Sequence, residues 1–161
     1  MQSATLPRLR TYRVSDAPFV ERLARLAFGE YSPRAGAPSV RAATLPGTVA
    51  IVAVLGGEPV GFAMTTFHRT GGNSARARRH ASLDAIAVDE AHRGRGIGKT
   101  LLGGVEREAK KRRSIEIRLV TAESNVAALD LFLRFGFEIV ERLERYYPKG
   151  QNAVVMNKKL A

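Results

Sequence analysis

The residues whose types and spacing could do chemistry concentrate between Leu83 and Leu102, LDAIAVDEAHRGRGIGKTLL. An apolar run of Leu83, Ala85, Ile86, Ala87 and Val88 reads as a buried strand, and a charged turn follows it. Gly94, Gly96 and Gly98 then lead into a helix with apolar periodicity. Strand, glycine turn and helix together make an anion cradle. Glycine lets backbone N–H groups approach a phosphate without a Cβ in the way, and the helix N-terminus adds unpaired donors and roughly half a positive charge. The chemistry implied is the binding of a pyrophosphate-bearing ligand. The nucleoside-triphosphate pattern G-x-x-x-x-G-K-S/T fits at Gly98-Lys99-Thr100 but needs glycine where Arg93 stands. The dinucleotide pattern G-x-G-x-x-G begins at Gly94 and Gly96 and fails at Lys99. What the residues do spell is Arg-x-x-Gly-x-Gly, as Arg93-Gly94-Arg95-Gly96-Ile97-Gly98.

The elements that must position this turn follow from periodicity. Arg8 to Val14 alternates as a first strand, and Ser15 or Asp16 can cap a helix carrying Phe19, Val20, Leu23, Leu26 and Ala27, which stops near Phe28 or Gly29. Glu30 to Pro46 holds Pro33, Gly36, Pro38 and Pro46, with room for one short helix around Ser39 to Ala43. Thr48 to Leu55 and Val60 to Phe67 read as a hairpin. His68 to His80 reads as an exposed basic loop, with two strand extensions around a turn as the alternative. After the glycine turn come an amphipathic helix to about Arg113 and a strand from Ser114 to Thr121. A helix capped by Ser124 or Asn125 and closed by Gly136 follows, then strands at Phe137 to Leu143 and Ala153 to Leu160. The order predicts one α/β domain over residues 1–161, with a mixed, mostly antiparallel central sheet flanked by helices.

Composition narrows the chemistry. The 161 residues suffice for one well-buried core, and there is no apolar run of membrane length and no signal-peptide pattern, so a cytoplasmic protein with no membrane partner is expected. The absence of Cys removes disulfides, thiolate metal sites and any acyl-cysteine intermediate, and no metal is expected. A formal net charge of +11 suits anionic ligands, and an acidic or ribosomal partner surface stays open.

The Arg93 to Gly98 motif directly after its strand resembles the acetyl-CoA-binding motif of the GNAT superfamily of N-acetyltransferases. Ser124-Asn125 with Ala127-Ala128, then Phe135-Gly136-Phe137, extends the likeness, and the element order is also that of the superfamily. Tyr146-Tyr147-Pro148-Lys149-Gly150-Gln151-Asn152-Ala153-Val154-Val155-Met156 is similar to the Tyr-Tyr pair and last strand of N-terminal acetyltransferases, including ribosomal-protein alanine acetyltransferases and their archaeal relatives. The resemblance is good from Ala81 to Leu160 and limited to the layout before that.

The resemblance implies acetyl-CoA as cosubstrate. It assigns the pantetheine arm to backbone groups of the strand Ile86-Ala87-Val88 and the pyrophosphate to those of Gly94, Arg95, Gly96, Ile97, Gly98 and Lys99, with charge from Arg93 and Arg95 unless these are plain surface arginines. Asn125 is implied as a cofactor contact, a role compatible with a simple N-cap. Tyr146 and Tyr147 would line the acceptor entrance, or only pack. Two departures bear on mechanism. Where relatives often carry a Glu or His this chain has Val120, and where they carry a Tyr acid it has Phe132. The base is therefore assigned to Glu30, in a Phe28-Gly29-Glu30-Tyr31 segment resembling one where relatives use a Glu, with His80 and Asp84 as second choices. Tyr31, Tyr146 or Tyr147 would supply the acid, and Tyr31 also belongs to the acceptor side. The expected reaction is direct attack by a primary amine on acetyl-CoA, with the N-terminal α-amine of a protein or peptide as acceptor. A small amine acceptor and a non-catalytic basic CoA-binding module are the alternatives, and a homodimer is left open.

Overall fold

The computed structural model describes residues 5–32 and 40–160. Seven strands form one sheet in the order β1-β2-β3-β4-β5-β7-β6. They are β1 (Arg8–Thr11), β2 (Thr48–Leu55), β3 (Glu58–Thr70), β4 (Arg78–Val88), β5 (Glu116–Ala122), β6 (Glu138–Leu143) and β7 (Ala153–Lys159). Every neighbouring pair is antiparallel except β4 and β5. Helix α1 (Ala17–Phe28) covers one face, and α2 (Ile97–Lys111) and α3 (Val126–Phe135) cover the other. Two buried clusters result, one joining Leu101, Leu102, Val105, Ile117 and Phe132 on the α2/α3 face, the other joining Val20, Leu23, Val52 and Phe62 on the α1 face.

Local chemistry explains most boundaries. Asn125 Oδ1 accepts from the Ala128 N–H at 3.2 Å and starts α3, while Gly136 at φ 103° ends it in the left-handed conformation. The start of α1 differs from expectation. Asp16 occupies the cap position without capping, because its carboxylate is nearly buried and takes both Arg10 guanidinium nitrogens, at 2.7 and 2.8 Å, and the Arg13 N–H at 2.7 Å. A short 3-10 turn at Val14–Asp16 therefore ends the first strand early. The short helix expected around Ser39 to Ala43 begins outside the described residues; residues 40–42 are helical.

The exposed-loop reading of His68 to His80 is corrected. Arg69 pairs with Arg79 and Thr70 with Arg78, so β3 and β4 stay paired as a ribbon through most of this stretch, and the turn lies between Thr70 and Arg78. Backbone pairing holds this polar stretch in strands, and that contribution leaves no trace in side-chain hydrophobicity.

Two irregularities of β4 create the site. Met64 faces Ala85 while Thr65 faces Leu83, so Asp84 is the extra residue of a β-bulge. The bulge reverses the alternation: Ala81 and Leu83 point into the α2/α3 cluster, whereas Ala85 and Ala87 point into the α1 cluster. In addition, β4 pairs with β5 only from Ala81 to Leu83. Beyond that point the two strands part.

Candidate active site

The turn after β4 is built from backbone. Gly94 and Gly96 have φ of 77° and 79°, conformations that side-chain-bearing residues rarely adopt, and nothing lies within 4 Å of a Cβ built on either. The first backbone bond of α2 runs from Thr100 N–H to Gly96 C=O at 3.0 Å. By helix geometry the N–H groups of Ile97, Gly98 and Lys99 then have no acceptor within the helix. Gly98 acts through packing instead. A Cβ there would meet Leu131 Cδ2 at 2.9 Å, so its absence lets α2 approach α3. Ile97 is buried and anchors the helix start, while Arg95 and Lys99 are exposed. Arg93 is exposed as well, and its Nε donates to Val88 C=O at 3.3 Å, clasping the turn to the strand end.

On the α1 face, the gap between β4 and β5 opens into a cavity of about 470 Å³. Its walls come from four separate stretches: Phe28, Tyr31 and Ser32 at and after the end of α1, Ser82 to Asp84 on β4, Arg118 to Ala122 on β5 with Asn125 beyond it, and Tyr146 and Tyr147 between β6 and β7. In the three-tyrosine wall the Tyr31 and Tyr147 rings are tilted at 48° with centroids 5.0 Å apart, and Tyr146 meets Tyr147 edge on at 4.9 Å and 89°. Its supports are polar. Tyr31 Oη and Ser124 Oγ lie 3.1 Å apart, Gln151 Nε2 donates to Glu30 C=O at 3.3 Å, and the Tyr147 N–H donates to Gln151 C=O at 3.1 Å. Burial, with smaller contributions from Tyr146 and Tyr31, pushes the Tyr147 phenol up to about 12. It stays protonated at physiological pH, so its O–H is available as a donor.

Asp84 is the carboxylate of this wall. It is reachable from the cavity, yet protein crowds its remaining sides, and that desolvation raises its pKa above the usual carboxylate value. A hydrogen bond from Thr66 Oγ1 and the neighbouring His68 act in the opposite direction and are outweighed. The bulge explains why Asp84 can serve here, since it re-aims this one position toward the open gap.

The other sequence-derived candidates separate clearly. Tyr31, Tyr146, Tyr147 and Asn125 meet at the cavity. Glu30 is exposed and outside the cavity wall, its backbone rather than its carboxylate engaged by Gln151. His80 faces away, with Nδ1 3.0 Å from Glu116 Oε1 and Nε2 3.2 Å from Thr70 Oγ1. Val120 does line the cavity, and Phe132 is buried against Phe137 at 5.7 Å between centroids, so neither position offers a proton. Sequence reasoning assigns no role to Gln151 or Thr66, and it reaches Ser124 as a cap and as part of the Ser124-Asn125 likeness, without its contact to Tyr31. Arg118 is missed as well, although it alternates with buried Ile117 and Leu119 and can be placed on the open face from that pattern.

Acetyl-CoA fits these features. An extended, amide-bearing arm can add to the unpaired side of β4 at Ile86 to Val88 as a strand would, and the donors at the α2 N-terminus suit its pyrophosphate. Asn125 uses its Oδ1 for the cap, which leaves its amide N–H groups without a partner among the described residues. No helix among the described residues is long and apolar enough to cross a membrane, and no metal-binding cluster of His, Cys, Asp or Glu occurs among them.

Comparison with known proteins agrees with this geometry. An N-alpha-acetyltransferase from Sulfurisphaera tokodaii is 29% identical over 153 residues, covering 92% of this chain and 90% of that protein. The ribosomal protein bS18-alanine N-acetyltransferase of Salmonella typhimurium is 34% identical over 79 residues, 47% of this chain and 53% of that protein. Other curated relatives are matched over only 21% to 39% of their own length, a streptothricin acetyltransferase from Escherichia coli among them. In fold, the Arabidopsis thaliana NAA60 structure with a bisubstrate analogue aligns at a TM-score of 0.82 and 19% identity, over 96% of this chain and 99% of that one. The profile of the Acetyltransferase (GNAT) family matches residues 17–137, and with the glycine turn and parted strands inside that span, the chain belongs to the GNAT acetyltransferase family.

Proposed function

We propose that this protein transfers the acetyl group of acetyl-CoA to a primary amine, the N-terminal α-amine of a protein or peptide, in a ternary complex without a covalent enzyme intermediate. The observation that carries this reading is the cavity at the parting of β4 and β5, where a carboxylate and a tyrosine wall meet the unpaired backbone edge of β4. Asp84 lies two positions before Ile86, roughly 7 Å along the strand. A group bound along that edge therefore ends beside the carboxylate.

Bound acetyl-CoA supplies a thioester, whose carbonyl carbon accepts the amine and whose sulfur leaves as a thiolate. Asp84 is the general base and takes a proton from the incoming ammonium, directly or through one water, and its raised pKa makes it a better acceptor than an ordinary carboxylate. Tyr147 Oη–H protonates the leaving thiolate, and the second proton, shed by the nitrogen as the amide forms, returns to the Tyr147 oxygen. Backbone N–H groups of the β4 edge near Val88 polarise the thioester oxygen. The missing proton-transfer groups at Val120 and Phe132 are then compensated from β4 and the β6–β7 turn.

The acceptor assignment rests on the tyrosine wall, on its similarity to N-terminal acetyltransferases, and on the relative from Sulfurisphaera tokodaii that spans nearly the whole chain. A small amine is the second reading, favoured by the shorter likeness to a streptothricin acetyltransferase. Thiol release from acetyl-CoA, measured against a library of free N-terminal peptides and a panel of amino acids, polyamines and aminoglycosides, separates them. Turnover on peptides is expected; turnover confined to small amines would sink the peptide assignment.

A further inference from the structure

The far end of the β3–β4 ribbon carries a second concave surface. Arg69, Arg76, Arg78, Arg79 and Arg113, all exposed, border a cleft of about 810 Å³ whose remaining lining is Ser74, Ala75, Ala77 and Ile115. None of the five makes an ion pair among the described residues. The carboxylate nearest in sequence, Glu116, is already engaged by His80 at 3.0 Å and Asn157 at 2.9 Å. Two features of this end oppose stability. Arg69 and Arg79 are direct cross-strand partners, a like-charge pairing that weakens a ribbon. Arg113 follows α2 at φ 58°, where glycine is the usual residue. Arg79 Nη1 donates to Arg112 C=O at 3.3 Å and holds the ribbon against that helix end, so both sets of arginines face one cleft.

We propose that this cleft binds the phosphodiester backbone of nucleic acid. Guanidinium groups pair with phosphates in forked geometry, and a bound polyanion relieves the Arg69–Arg79 repulsion. A protein partner is disfavoured because the cleft offers arginines and small residues, with Ile115 its only sizeable apolar side chain, and so lacks the apolar pockets that anchor protein interfaces. A membrane is disfavoured because the turn, Gly71 to Ala75, presents no large apolar residue for insertion. The 11 residues of β4, roughly 36 Å at 3.3 Å each, separate the cleft from the glycine turn, so both sites can be filled at once.

Fluorescence anisotropy with a labelled oligouridylate and the matching oligothymidylate, across a potassium chloride series, tests the proposal. The triple variant Arg76→Glu, Arg78→Glu, Arg113→Glu is expected to weaken binding at least ~10-fold and to flatten the log–log salt slope by about 2, the share of three phosphate contacts on a single strand. A control triple of equal charge, Arg8→Glu, Arg107→Glu, Arg134→Glu, is expected to stay within ~3-fold at matched salt. Equal affinity for both oligomers, or preference for the RNA, supports the phosphate-backbone site; the second adds recognition of the 2′-hydroxyl. Equal losses in the two triples, or oligoglutamate of matched charge binding as tightly as the oligonucleotides, overturns it. If charge reversal prevents folding, the corresponding Arg→Gln triple carries the readout. Acetyl-CoA turnover on peptides is measured in parallel and is expected to be unchanged.

Discussion

The glycine turn and the tyrosine-walled cavity lie on either side of one parted pair of strands, and they are made of different materials. The turn is backbone: two glycines at positive φ, free N–H groups at a helix start, and an unpaired strand edge. The cavity is side chain: Asp84, Arg118, Tyr31 and Tyr147, delivered by four stretches distant in sequence. A site made of backbone tolerates change in most of its side chains and fails at its glycines. A site made of side chains can keep its shape while single atoms decide its chemistry. The difference predicts where substitutions change binding and where they change rate.

Asp84→Asn should have the largest effect, lowering kcat by about 100-fold or more with little change in the KM for acetyl-CoA. In the wild type the carboxylate must be ionised to accept the proton, so kcat/KM falls as pH drops through the Asp84 pKa. Because that pKa is raised, the acid limb lies above the pH range of an ordinary carboxylate near 4. Steady-state rates across pH check both points, and an acid limb unmoved in the Asn variant would place the base elsewhere.

Asp16→Asn should cost about 2–3 kcal/mol of stability, roughly 30- to 150-fold in the folding equilibrium, because Arg10 loses its forked partner. The Asp16 carboxyl is held below its ordinary pKa chiefly by the Arg10 hydrogen bonds. Its contribution is thus present above the unfolded value near 4 and lost as pH falls through the lower folded value. Thermal melts at neutral and acid pH should show a wild-type loss on acidification that is smaller in the variant. Since Asp16 starts the helix that ends at the tyrosine wall, any kinetic change should fall on the acceptor and spare acetyl-CoA.

Gly96→Ala should weaken CoA binding about 10-fold, by forcing a side-chain-bearing residue to φ 79° or by unwinding the N–H cluster, with acceptor KM unaltered. Calorimetric titration of CoA measures it. Tyr147→Phe removes one O–H from the cavity wall while keeping the ring contacts with Tyr31 and Tyr146, and a loss of several-fold in kcat without a fall in melting temperature is expected. Glu30→Gln should be the mildest, within about twofold in kcat, given its place outside the cavity wall. A large loss there would move the base from β4 to the end of α1 and erase the division between the two regions.

The legibility of each region follows its material. The Arg93 to Gly98 turn is readable because positive φ demands glycine and helix starts demand a periodic apolar run, both local rules. Asn125 and Gly136 are readable as caps for the same reason. The tyrosine pair is readable only through resemblance, and its packing against Tyr31 requires contact across 116 positions of sequence. The stretch from His68 to His80 looks like a loop in sequence, since its strands are held by backbone pairing rather than by burial.

By itself the sequence determined the element order, the mixed α/β class, the anion-binding turn and the exclusion of cysteine and thiolate-metal chemistry, because each depends on residues near one another in the chain or on plain counts. Only the tertiary structure decided that β4 bulges at Asp84, that β4 and β5 part after Leu83, and that five arginines converge at the ribbon's end. A bulge changes pairing without changing the alternation written in the residues, and a cavity between strands exists only once both strands are placed. The carboxylate that faces the reaction was therefore visible in the sequence as a residue and became identifiable as a base through its position.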